Sequence, residues 1–200
     1  MRPMTVLRRL LMPALVPVVI AACASTPEIR YYTLVPPAAD GRHGGAPWFT
    51  LDVRAVPEQV DHPQLVVRTG PGRLALRESR QWLAPLASEV EAGLSAALGE
   101  RVPGSFAPGS RPVELRLRVE RFESVPASYV LQETSWSLLV AGAPDPLRCH
   151  SVVRVPVTVG DDALVAGHQQ ALQRLADAIV ATVAADELRC PAVPGSGEPG

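Results

Sequence analysis

The clearest alternation of apolar and charged positions runs over residues 113–120. Val113, Leu115, Leu117 and Val119 fall on one side of an extended chain, and Glu114, Arg116, Arg118 and Glu120 on the other. A period of two over eight residues predicts a half-buried strand, and the charged side of its sheet meets water or a partner. Residues 49–56 repeat the pattern, with Leu51, Val53 and Ala55 opposed to Asp52 and Arg54. Residues 29–35, β-branched and aromatic, stop at Pro36-Pro37 and predict a first strand. Residues 64–68 and 73–77 flank the turn Thr69-Gly70-Pro71-Gly72, which predicts a hairpin over 64–77. Residues 129–140 and 147–159 read as two further strands, with Cys149, Ser151, Val153, Val155 and Val157 on one face of the second.

The period changes twice. Over 81–99, Leu83, Leu86, Val90, Leu94 and Ala97 follow three- and four-residue steps, with Glu89, Glu91 and Ser95 between them. That spacing predicts an amphipathic helix, with Pro85 in its first turn and Gly99 as its C-terminal stop. A second helix follows Gly160-Asp161-Asp162, whose carboxylates are placed to cap it. Leu172, Leu175, Ile179 and Val183 give that helix its apolar stripe, and Gly167 is a weak point in it. Residues 36–47 and 99–112 are Pro- and Gly-rich loops. Strands and helices in this order predict an α+β fold: a two-layer sandwich of a mostly antiparallel sheet with two helices packed on one face.

The N-terminus has a different logic. Arg2, Arg8 and Arg9 precede an apolar run from Leu10 to Ile20, and Ile20-Ala21-Ala22-Cys23 closes it. Positive, apolar, then small is the order of a secretory signal peptide. A cysteine directly after the small residues makes it a lipobox, in which the Cys23 thiol carries diacylglycerol and cleavage follows Ala22. The apolar run is about 11 residues, too short for the roughly 20 of a spanning helix, and Pro13 and Pro17 interrupt it. The expected organisation is a signal peptide over 1–22, a lipidated tether over 23–28, one periplasmic domain over 29–190 and a disordered Pro/Gly/Ser tail over 191–200.

The precursor carries 19 basic and 20 acidic residues. Removing the three signal arginines leaves the mature chain with a net charge of −4, which argues against a nucleic-acid binder. There is no Lys, so neither a Walker A phosphate loop nor a Schiff-base lysine is available. With Cys23 lipidated, Cys149 and Cys190 form an even pair, a disulfide candidate in an oxidising compartment; two free thiols are the alternative. Neither has a metal-spaced partner, and no cofactor is expected.

Catalytic patterns are missing from the sequence. There is no Gly-x-Ser-x-Gly elbow and no Gly-x-Gly-x-x-Gly loop. His43, His62, His150 and His168 fall in a loop, a turn, a strand and a helix without metal spacing, and read as surface or hydrogen-bonded histidines. Trp82 and Trp136 read as core or rim packing, with contact to an acyl chain as the alternative. The expectation is a non-enzymatic binding or structural module.

Four ordered motifs carry a resemblance. Downstream of the lipobox come Tyr31-Tyr32-Thr33-Leu34, residues 61–68 (Asp-His-Pro-Gln-Leu-Val-Val-Arg), Trp82-Leu83-Ala84-Pro85-Leu86, and the closing helix over 171–179. Together they resemble the PqiC (YmbA-like) family of auxiliary lipoproteins of ABC-type transport systems. His62 stands where that pattern suggests a basic residue such as Arg. The resemblance implies an outer-membrane lipoprotein on the periplasmic face of the Gram-negative envelope. Its implied partners are an MCE-domain protein and ABC transporter subunits that move lipids, and further copies of itself in a homo-oligomer. A structural or assembly lipoprotein of another envelope complex is the alternative.

Overall fold

The computed structural model describes residues 28–37, 48–101, 112–185 and 188–191. The order of elements is β1 (Arg30–Tyr32), β2 (Phe49–Ala55), β3 (Gln64–Gly70), β4 (Arg73–Trp82), α1 (Leu86–Gly99), β5 (Val113–Val125), β6 (Tyr129–Leu139), β7 (Leu147–Pro156) and α2 (Asp161–Ala184). The fold is α+β, with the strands in two mixed sheets. One is ordered β1-β4-β3 and the other β2-β5-β6-β7.

Hairpins make the antiparallel pairs β3–β4, β5–β6 and β6–β7. The sequence pattern missed two parallel pairs, β1 with β4 and β2 with β5. Parallel neighbours need a long crossover, and the β3–β4 hairpin with α1 supplies the one between β2 and β5.

The inner face of the four-stranded sheet is apolar. Leu115, Leu117, Val119, Trp136, Leu138 and Val155 are buried there. Against it α1 packs over β2, α2 packs over β6 and β7, and the two helices pack side by side. Their contributions include Leu86, Val90, Leu94 and Leu98 from α1, and Leu164, Leu172, Leu175 and Ile179 from α2.

Two of the boundaries that differ from the sequence expectation have a clear local cause. The first helix begins at Leu86 instead of residue 81. Pro85 is its N-cap, with ψ near 142°, and proline disfavours a helical residue before it. Residues 81 and 82 stay extended because Trp82 N donates to Pro63 O at 2.7 Å, and Leu83 N to Tyr32 O at 2.8 Å. The fifth strand runs past residue 120, through a bulge between Val119 and Arg121. One extra residue reverses which side chains point inward, so Phe122 and Ser124 continue the buried face that Val119 ends.

Beyond the bulge the three-stranded sheet joins the larger one. Trp82 meets Phe122 edge to face, centroids 6.1 Å apart, and Arg68 pairs with Glu123. At the other end, α1 finishes under Trp48, whose indole N–H donates to Arg101 O at 2.6 Å. Arg101 donates to Ala97 O at 2.6 Å and reaches Asp177 and Gln173 of α2. A cation over the last carbonyls suits the negative end of the helix dipole.

Candidate functional site

Two of the four sequence motifs, 31–34 and 82–86, converge on one buried carboxylate. Glu89 lies in the first turns of α1 and is 4% exposed, not on the solvent side as its place in the pattern suggests. It accepts hydrogen bonds from Leu34 N at 2.8 Å, Thr33 Oγ1 at 2.8 Å and Ala84 N at 3.1 Å. The helix N-terminus favours negative charge at that point. Gln169 of α2 donates to Thr33 O at 3.1 Å. The motif residues are therefore a seam, binding β1, the β3 entry, the β4 exit and both helices together. Gly93 on α1 lets Leu34 settle there, since a Cβ at that position would stand 2.7 Å from Leu34 O.

The second polar cluster is buried around His168. The ring stacks on Phe122 with centroids 3.8 Å apart and planes within 8°. Its Nε2 lies 2.9 Å from Ser124 Oγ, and Gln132 Nε2 lies 3.1 Å from its Nδ1. The Gln132 amide also donates to His168 O at 3.2 Å, which orients the NH2 group toward both atoms. Nδ1 is then an acceptor, so Nε2 carries the proton and donates it to Ser124. A general base for a serine needs the opposite tautomer, and this pair is not arranged for that chemistry. Burial pushes the His168 imidazole down to about 3, so the ring is neutral at physiological pH.

Glu123 gathers Arg68, Arg121 and Tyr129. Burial alone raises its carboxyl. Hydrogen bonds from Arg68 and Tyr129, with the charges of Arg68 and Arg121, outweigh burial and hold it below the ordinary carboxylate value.

The remaining residues singled out from sequence fall in different places. Cys23 and His43 lie outside the described residues. His62 is exposed in its turn, and His150 on β7 sits 3.3 Å from Glu133. Trp82 and Trp136 are both buried core residues. Asp161 and Asp162 do not cap α2 with their side chains; Gly160 holds that position without a side-chain bond. Asp161 instead faces Arg77 at 3.6 Å and Arg80 at 3.2 Å. Asp162 accepts from the Tyr32 phenol, which burial first, and then this bond, push up. Cys149 on β7 and Cys190 are brought together, with Cα atoms 5.4 Å apart.

The outer face of the four-stranded sheet is polar and carries a trough. Its floor is Ser135 and Ser137 of β6. Arg116 and Arg118 of β5 rise on one side, and Arg148 and His150 of β7 on the other; Arg54 closes the β2 side. Register sets this: Arg116 lies opposite Ser137 and Ser137 opposite Arg148, while Arg118 lies opposite Ser135 and Ser135 opposite His150. The space between them is about 500 Å³. Among the described residues, no group of three His, Cys, Asp or Glu side chains is placed to hold a metal ion. None of the described helices is long and apolar enough to cross a membrane.

No curated protein matches the chain. The crystal structure of an uncharacterized protein superposes with a TM-score of 0.61 at 19% identity, covering 78% of this chain and 99% of the other. A Xanthomonas campestris protein superposes with a TM-score of 0.53 at 21% identity, covering 77% and 93%. At those identities the likeness establishes the fold. A family model, described as the ABC-type transport auxiliary lipoprotein component, matches residues 32–180, from the end of β1 into α2. The chain belongs to that family of ABC-type transport auxiliary lipoproteins.

Proposed function

We propose that the protein is a non-enzymatic lipoprotein of the outer membrane, held at its periplasmic face through Cys23. In this reading it serves as the auxiliary subunit of an MCE-type ABC system that moves lipids across the Gram-negative envelope. The observation that carries the reading is the family match over residues 32–180. The lipobox ending at Cys23 supports the anchor, and Ala24 in place of Asp after it supports export to the outer membrane. The non-catalytic role is supported by a chemistry-bearing interior in which Ser124, His168 and Gln132 satisfy one another. The pairing of Cys149 with Cys190 belongs to the same reading, since the periplasm oxidises such pairs.

The test is crosslinking of the lipidated protein in cells, followed by identification of the captured partners. MCE-domain and permease subunits are expected to dominate. Capture of copies of the protein together with unrelated envelope proteins alone would sink the transport reading and leave a structural lipoprotein.

A further inference from the structure

We propose that the arginine trough on the outer face of the four-stranded sheet binds the phosphate headgroups of an anionic membrane. Charge segregation is the first support. In a mature chain of net charge −4, four arginines and a histidine line one depression, and no carboxylate joins them there. Arg54 and Arg116 have acidic neighbours at the rim, Asp52 at 2.7 Å and Glu114 at 3.6 Å, and His150 has Glu133. Arg118 and Arg148 have no carboxylate partner among the described residues. They present planar guanidinium forks that match phosphate oxygens.

Shape is the second support. Arg116 and Arg118 are two residues apart, hence about 7 Å along the strand, and β7 lies two strand spacings, roughly 10 Å, away. Neighbouring lipid phosphates can fill such a spread of cations, whereas a single small anion engages only part of it. The floor is serine hydroxyl and backbone, because the Leu117, Trp136 and Cys149 side chains turn into the core. No large apolar side chain stands open in that floor to act as the kind of socket that anchors protein partners. The trough receives a headgroup layer and leaves the tails in the membrane.

This proposal rests on the lipoprotein reading for its setting. Five residue steps from Cys23 to Glu28 span at most roughly 18 Å, so the domain meets headgroups at high local concentration. The test is arranged to be independent of the anchor and of any transporter partner. The mature chain from residue 23, carrying Cys23→Ser, keeps every described element and has no acyl chain. It is mixed with phosphatidylcholine vesicles, with and without phosphatidylglycerol, and bound protein is read by flotation.

Binding is expected only to vesicles containing phosphatidylglycerol, and is expected to fall with added salt. Arg118→Ser with Arg148→Ser leaves no acid unpaired, and should weaken binding about 25-fold, at roughly fivefold for each cation near an anionic surface. Arg118→Lys with Arg148→Lys should keep most of the binding, which separates charge from any change in fold. Failure of the wild-type chain to float with phosphatidylglycerol, or equal flotation of the serine double variant, overturns the proposal. So does displacement from vesicles by glycerol phosphate or a polyglutamate peptide at a lower concentration of charge, which would assign the trough to a soluble phosphate or an acidic chain. Loss of the transporter partners in cells, with vesicle binding intact, would count against the transport reading alone.

Discussion

Replacing Glu89 by alanine removes three hydrogen bonds at once. The carboxylate takes two backbone N–H groups, from Leu34 and Ala84, and the Thr33 hydroxyl. Hydrogen bonds to a charged group contribute about 1.5–3 kcal/mol each, and an orphaned buried donor costs about 1–3 kcal/mol. Relief of carboxylate desolvation and the better helix propensity of alanine offset part of this. The net cost of Glu89→Ala is expected to be about 3–5 kcal/mol, a large share of the 5–15 kcal/mol typical of a domain. Glu89→Gln keeps one acceptor oxygen and should cost about half as much. Glu91, two residues on, reaches only an exposed contact with Val53 N at 3.4 Å, so Glu91→Ala should stay within about 0.5 kcal/mol. Urea unfolding followed by tryptophan fluorescence measures all three, since Trp48, Trp82 and Trp136 are buried and report together. With an m-value near 2 kcal/mol/M, the Glu89→Ala midpoint should fall by about 2 M. A Glu89→Ala midpoint no lower than that of Glu91→Ala would refute the seam.

Three further outcomes are expected. The unfolded chain protonates His168 near 6.5, while the folded protein refuses that proton until about 3. Stability is thus fully present above pH 6.5 and should decline by about 1.4 kcal/mol per pH unit as pH falls from there toward 4.5. A flat urea-stability profile over that window would contradict the buried neutral ring, and His168→Gln should remove the slope. Gly167→Ala should destabilise by about 1–3 kcal/mol despite its gain in helix propensity, because the new methyl meets Val157 Cγ1 at 2.6 Å and Val130 Cγ2 at 3.0 Å; an unchanged melting temperature would show that α2 can shift. Cys149→Ser should cost about 4 kcal/mol under oxidising conditions, for a separation of 41 residues, and nothing under reductant. Identical melting of the wild type with and without reductant would reject the bridge.

What the sequence made legible was local. The alternation before Glu120 and the stripe on α2 each reflect burial of one face by one element, so their periods could be read directly. The parallel pairing of Tyr31 with Gln81 had no such signal, because its partners are far apart in the chain and polar. Residues 78–81 show no alternation, and main-chain pairing of Arg80, Gln81 and Trp82 with β1 extends the strand past the hairpin. Glu89 was misread for a related reason. A carboxylate in a helix pattern looks like solvent-facing polarity unless the donors that surround it are known, and those come from the residues just after β1 and from the segment before Pro85. The arginine trough was half visible. The charged side of β5 was evident, but only the register with β6 and β7 sets Arg148 across the serines from Arg116.

The seam at Glu89 also fixes where force enters the molecule. β1 is three residues long, and a ladder that short peels easily when pulled from its end. Directly after it, Leu34 is fully buried, and Glu89 grips both its amide and the Thr33 hydroxyl. If Cys23 is the anchor proposed above, a pull from it passes through β1 and is borne by the first turn of α1, where strands from the smaller sheet and both helices are tied together. Loaded in this way, the domain would move as one body instead of unravelling from its first strand.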